Sequence, residues 1–174
     1  MIGAFAPFMA YAADELLADI SKASYVADRH AILAALLSAL GKRLLSAGVK
    51  TLILEMNRER ILGHLSGESG QERKHDYCVK LCDPAYREAL FGEYPVLARF
   101  SAQTVIDFVR FCGRFLHHVE LNRRPLSERF GLGEDFIVDD LILDSGDLHD
   151  HGSSVIIMTV GESRIVYKPR NLST

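Results

Sequence analysis

Arg129-Phe130-Gly131-Leu132-Gly133-Glu134-Asp135-Phe136-Ile137-Val138-Asp139-Asp140-Leu141-Ile142-Leu143 is the stretch in which the chain changes its hydrophobic period. Upstream of Gly131 apolar residues recur at three- and four-residue spacing, whereas downstream of Gly133 they come in short β-branched runs. A period near 3.6 buries one stripe of a helix, and a period of 2 buries one face of a strand. The glycine pair therefore separates a helical part, residues 1–133, from a strand-rich part, residues 134–174. The fold class that follows is α+β, a bundle of helices followed by a small antiparallel sheet.

Working back from the glycines, Leu33, Leu36, Leu37 and Leu40 form one apolar stripe, and Leu52, Leu54, Met56, Ile61, Leu62 and Leu65 a second. A third comprises Val96, Leu97, Phe100, Val105, Phe108, Val109, Phe111 and Phe115, within the longest uninterrupted helical pattern, 95–121. Gly48, the Ser66-Gly67-Glu68-Ser69-Gly70 cluster, Asp83-Pro84 and Tyr94-Pro95 are expected to divide the helices, with Asp83 capping the one that starts at Pro84. Gly113 falls inside the long pattern, where it costs about 1 kcal/mol relative to Ala.

Working forward, Phe136-Ile137-Val138, Leu141-Ile142-Leu143, Val155 to Val160 and Arg164-Ile165-Val166-Tyr167-Lys168 read as strands. Gly161-Glu162-Ser163 makes a hairpin turn between the last two, and residues 144–153 a longer polar loop. That loop carries Gly146-Asp147-Leu148-His149-Asp150-His151-Gly152. A glycine-bounded loop can bring backbone N–H groups close to phosphate oxygens, and a lysine on a neighbouring strand can add a point charge to the same phosphates. Protein kinases combine such a loop with a lysine on their third strand. Alternation sets Lys168 on the face of Val166 and opposite Ile165 and Tyr167. Two readings of these residues stand at this point: a phosphate-binding pair, or a solvated strand-end lysine beside a loop of ordinary turn formers.

The composition sets bounds. With 174 residues, 48% hydrophobic and 25% charged, the chain can fold one domain or part of one. A net charge of -3 offers no general field for nucleic acid, leaving only a local basic patch around Arg114, Arg123 and Arg124. The best apolar run, 31–40, is about half a membrane span and is followed by Gly41-Lys42-Arg43, so no transmembrane segment is expected; no basic residue precedes the apolar stretch 5–11, as a secretory signal would require. Three cysteines, with Cys78 and Cys82 one helical turn apart, fit a reducing cytoplasm. Asp147, His149 and His151, or His75, Cys78 and Cys82, can be imagined around a metal. Neither set has the spacing of a structural zinc site, and no metal is assigned.

Four stretches in order resemble the N-terminal dehydratase region of class II, LanM-type, lanthipeptide synthetases. They are Phe5-Ala6-Pro7-Phe8; Leu52-Ile53-Leu54-Glu55-Met56-Asn57 leading to Leu65-Ser66-Gly67-Glu68; Asp83-Pro84-Ala85-Tyr86 with Glu93-Tyr94-Pro95-Val96-Leu97-Ala98-Arg99; and Gly146-Asp147-Leu148-His149 with Val166-Tyr167-Lys168-Pro169-Arg170. The resemblance implies a lipid-kinase-like catalytic unit that uses ATP and magnesium to phosphorylate Ser or Thr of a precursor peptide, then eliminates phosphate to give dehydroamino acids. It implies that residues 134–174 begin a kinase-like N-lobe, still incomplete at Thr174, that Lys168 contacts the nucleotide phosphates, and that Asp147 and His149 belong to the Gly-Asp-x-His loop of the active site. The expected partner is a lanthipeptide precursor with its leader.

This chain departs from the family pattern at Leu148 and Ser153, where a small residue or proline and a basic residue are more usual. The resemblance implies that the magnesium carboxylates, the catalytic loop, the elimination residues and the zinc-dependent cyclase domain of such synthetases lie beyond the matched segments, and that the chain starts inside the family's N-terminal region. The expectation is therefore a dehydratase fragment without activity of its own. The alternative is a non-catalytic helical module that binds a precursor's leader.

Overall fold

A computed structural model describes residues 1–143 and 154–169. A short 3-10 turn, Ile2–Phe5, leads into six helices: α1 (Ala6–Lys22), α2 (Arg29–Ile61), α3 (Gly70–Lys80), α4 (Pro84–Glu93), α5 (Pro95–Leu121) and α6 (Arg123–Phe130). Three strands follow, β1 (Asp140–Leu143), β2 (Ile156–Val160) and β3 (Ser163–Tyr167), paired antiparallel in the order β1-β2-β3. The class is α+β, a helical part followed by a small antiparallel sheet.

Local chemistry explains most boundaries. Asp83 caps α4, its carboxylate accepting from Tyr86 N at 2.9 Å, with Pro84 at the first helical position. Ser69 and Glu72 form a reciprocal capping box at the start of α3. Asp28 accepts from His30 N and Ala31 N at the head of α2, and these hydrogen bonds hold its carboxyl below the usual range. Gly131 closes α6 at a φ of 65°.

Gly48 does not end a helix; α2 runs through it for 33 residues. A Cβ on Gly48 would lie 2.5 Å from Phe5 Cζ and 3.2 Å from Leu97 Cδ1, so the missing side chain is what lets the Phe5 ring sit against the helix. Gly113, inside α5, faces only the flexible end of Asp19, whose Oδ2 would be 2.8 Å from a Cβ. The two glycines should respond differently to alanine. Gly48→Ala is expected to destabilise by about 1–3 kcal/mol through overpacking. Gly113→Ala is expected to be near neutral, because Asp19 can swing away and helix propensity gains up to about 1 kcal/mol. Thermal melts of the two variants side by side check this.

The continuity of α2 removes one ground of the expectation about spans and leaves the expectation itself unchanged. Gly41-Lys42-Arg43 does not interrupt α2, and by length and composition alone it is the one helix among the described residues long and apolar enough to cross a membrane. A core helix meets the same criteria, and Ile32, Leu36, Leu40, Leu44 and Leu52 along it are fully buried.

The chain divides into two compact units, residues 1–9 with 41–104 and residues 10–40 with 105–174. The change from helix to strand near Gly133 therefore does not coincide with the division into units. In the first unit Phe91 packs against Phe5 and, edge-on at 5.2 Å between ring centres, against Phe8. Leu52, Tyr77, Leu81 and Leu90 are buried there. Towards the C-terminus of α2 the stripe expected from sequence is not the buried one: Leu54, Ile61 and Leu62 are exposed, and Glu55 and Glu59 are buried instead.

In the second unit, Leu141, Met158 and Ile165 stand directly opposite one another across the sheet and are all buried, with Ile156 and Val160 on the same face of β2. Phe108, Phe111 and Phe115 of α5 are buried too, each large apolar side chain contributing about 1.5–3 kcal/mol. Tyr167 meets Phe115 at 5.2 Å between ring centres, which ties the end of β3 to α5. Phe136-Ile137-Val138 is not a sheet strand. Val138 N donates to Tyr25 O at 2.7 Å and Val138 O accepts from Ala27 N at 3.0 Å, so its backbone groups are committed to an isolated parallel bridge with Val26.

Candidate functional site

Of the three residues singled out from sequence, Lys168 is placed and is exposed; Asp147 and His149 lie outside the described residues. β3 ends at Tyr167, one residue earlier than the sequence suggested. Pro169 has no N–H and restricts the residue before it, so pairing stops where β2 runs out at Ile156, the partner of Tyr167. Exposure alternates along β3: Ile165 is buried, Val166 exposed, Tyr167 half-buried and Lys168 exposed. Lys168 makes no ion pair among the described residues. Its ammonium is thus an exposed point charge just past the end of a strand whose last residue, Tyr167, is held against α5.

That residue is held firmly. Tyr167 Oη lies 2.9 Å from His118 Nδ1, and burial raises the phenol's pKa while nearby Arg114 opposes the shift. Beside it opens a mainly apolar groove of about 820 Å³ lined by His118, Val119, Asn122, Leu126, Phe130 and Tyr167. The basic residues expected to form a patch are largely engaged. Arg123 sits over Tyr25 and Phe136 and donates to Phe136 O at 3.2 Å, while Arg124 pairs with Glu128 at 2.9 Å.

The first unit contains a polar constellation that the sequence reading did not assign. Tyr94 Oη donates to Glu55 Oε2 at 2.7 Å, and Arg58 lies 3.5 Å from both Glu55 and Glu93. One turn on, Glu59 receives Lys80 Nζ at 3.1 Å and faces His64 Nδ1 at 3.2 Å. Lys80 also donates to His64 O. Burial alone would push Glu59 up, but the hydrogen bonds and charges of His64 and Lys80 hold it below the usual carboxylate range. Tyr77 and Tyr86 meet edge-on beside the pair; their hydroxyls are buried without a hydrogen-bond partner among the described residues, and burial, with the charges of Glu55 and Glu59, raises both.

Glu55 comes from the second and Tyr86 and Tyr94 from the third of the stretches quoted above as carrying the resemblance, and the fold gathers them. The signal for Glu55 and Glu59 was present as two carboxylates at i,i+4 continuing the stripe of Leu52. Apolar periodicity passes over such residues. His75, Cys78 and Cys82 do not form a ligand set: Cys82 Sγ donates to Cys78 O at 3.4 Å, Cys78 Sγ accepts from the N-terminal ammonium at 3.2 Å, and among the described residues no three His, Cys, Asp or Glu side chains gather as they would around a metal.

A family model described as a domain of unknown function, DUF4135, matches residues 94–174, from Tyr94 through α5, α6 and the sheet. No curated protein matches the chain.

Proposed function

We propose that this chain supplies the helical region and the first strands of the kinase-like lobe of a lanthipeptide synthetase dehydratase, working in the cytoplasm on a precursor peptide. The observation that carries the reading is Lys168, exposed, without an ion pair among the described residues and anchored by Tyr167, in a Val-Tyr-Lys-Pro-Arg sequence downstream of Gly-Asp-Leu-His. The family of unknown function matched over residues 94–174 is associated with lanthipeptide synthetases, which supports that class of protein; the dehydratase step rests on the resemblance of the quoted stretches alone.

In this reading Lys168 binds and orients the phosphates of ATP, and its freedom from any competing carboxylate among the described residues suits that task. Asp147 and His149 act on the same loop without a division of steps between them. Among the described residues no group of carboxylates stands with Lys168 to hold magnesium. Phosphoryl transfer depends on positioned groups around the γ-phosphate, and one lysine with one loop falls short of that set.

A second reading, a helical module that binds the leader without chemistry, is favoured by the exposed Val96 and Phe100 beside an apolar groove of about 410 Å³ that also involves Ala47, Thr51 and Leu97. Mass spectrometry separates the two. The 174-residue chain with ATP, magnesium and precursor should add no phosphate and remove no water. The same residues exchanged into a complete class II synthetase should support dehydration. Leader binding by the chain, with a folded exchange protein that never modifies its precursor, would favour the module.

A further inference from the structure

We infer that His118 is a positioning residue for Lys168: through the Tyr167 hydroxyl it ties the end of β3 to α5 and so sets where the lysine side chain starts. This rests on the reading of Lys168 as the residue that binds the phosphates of ATP.

Helical spacing puts His118 on the face of α5 that also carries Phe111 and Phe115, so a stripe that buries two phenylalanines ends in a polar ring. Tyr167 lies along that face. Its ring centre is 6.4 Å from that of Phe111 and 5.2 Å from that of Phe115, and its Oη lies 2.9 Å from His118 Nδ1. One side chain of β3 is thus held by three successive turns of one helix.

The anchor falls where sheet pairing ends. Tyr167 is the last residue of β3 to be paired, opposite Ile156, and Lys168 follows it directly. On the other side Pro169 has a fixed φ and restricts Lys168 to extended backbone. The Cα of Lys168 therefore moves only as far as Tyr167 moves. The ring contacts with Phe111 and Phe115 are apolar and tolerate sliding along α5, whereas the hydroxyl fixes the ring at one height on the helix. A group that orients a reacting phosphate loses much of its effect when displaced by about 1 Å. The hydrogen bond to His118 should then be felt at the nucleotide and not at the precursor.

Steady-state kinetics of a complete dehydratase that carries this segment, with ATP and precursor varied separately, test the inference. His118→Leu and Tyr167→Phe are each expected to raise KM for ATP about fivefold, the factor that one ordinary hydrogen bond contributes, and to leave KM for the precursor unchanged. The double variant should be no worse than either single one, because both remove the same contact. His118→Asn should restore the wild-type value, since its amide stands as far along the side chain as Nδ1 and can still meet the hydroxyl. Lys168→Met is the control. If that variant works at the normal rate, the phosphate-binding reading fails and this inference with it. If Lys168→Met is impaired while His118→Leu and Tyr167→Phe keep the wild-type KM for ATP, or raise both KM values alike, the positioning role of His118 is overturned and the reading of Lys168 stands.

Discussion

Lys168→Met, made in a complete dehydratase that carries this segment, is expected to reduce precursor phosphorylation at least about a hundredfold, the size of effect seen when one preorganised electrostatic contact to a reacting group is removed. Met keeps the apolar stem and removes the charge. Lys168 is exposed, lies beyond the last paired residue of β3 and has no ion pair among the described residues, so the substitution should shift the melting temperature by no more than about 2 °C. Loss of activity would therefore report phosphate chemistry and not unfolding. Intact-mass measurement of the precursor counts added phosphate and lost water, and leader binding should be unchanged. Asp147→Asn and His149→Ala should also slow turnover. A Lys168→Met enzyme that modifies its precursor at the normal rate would return Lys168 to the solvated strand-end lysine of the plainer sequence reading.

The parts of the fold that were legible in the sequence are those decided by local chemistry. Asp83-Pro84 caps α4, Tyr94-Pro95 separates α4 from α5, and the hairpin turns at Gly161-Glu162. In each case a residue's own conformational preference or its side-chain hydrogen bond sets the outcome. The failures are those in which a distant residue decides. Gly48 reads as a breaker because glycine is flexible, yet it lies within α2 where the Phe5 ring needs its space. Val138 reads as a strand residue because it is β-branched, yet Tyr25 and Ala27 take its backbone groups. Neither Phe5 nor Tyr25 is near in sequence to the residue it governs.

The candidate residues follow the same division. The position of Lys168 on the exposed face of β3 follows from alternation, and its place just past the strand follows from Pro169. The cluster around Glu55 and Glu59 was hidden because a helical period asks which residues are apolar, and here the buried face changes from leucine to carboxylate. Only the fold brings Lys80 from α3 and Tyr94 from the α4–α5 junction to meet them.

Lys80→Met should expose what that cluster does. Glu59 is buried and Lys80 is its closest cation, so losing the ammonium, which also lies 5.9 Å from the centre of the Tyr86 ring, strands a carboxylate that is 8% exposed; Met keeps an apolar stem of similar length. A fully buried pair broken this way costs about 3–5 kcal/mol, and because Lys80 is partly exposed and His64 remains, about 2–3 kcal/mol is expected, a fall in melting temperature of roughly 5–10 °C. The pH dependence identifies the cause. In the wild type Glu59 is held below its ordinary value, so its contribution is fully present above about pH 4.3 and is lost as pH falls through the lower folded value. In the variant the hydrogen bond and charge of Lys80 no longer oppose burial while those of His64 remain, so the folded value moves up and Glu59 takes a proton at a higher pH than in the wild type. The gap between wild type and variant should therefore be widest near pH 7 and close as pH falls below about 4. Arg58 and Tyr94 act on Glu55 one turn away, with Glu93 on Arg58, and are unchanged in both proteins. Lys80→Arg, which keeps the charge, should stay close to the wild type at every pH. A gap of equal size at pH 7 and pH 4 would mean that Lys80 acts through the packing of its stem, and the electrostatic account of the cluster would fail.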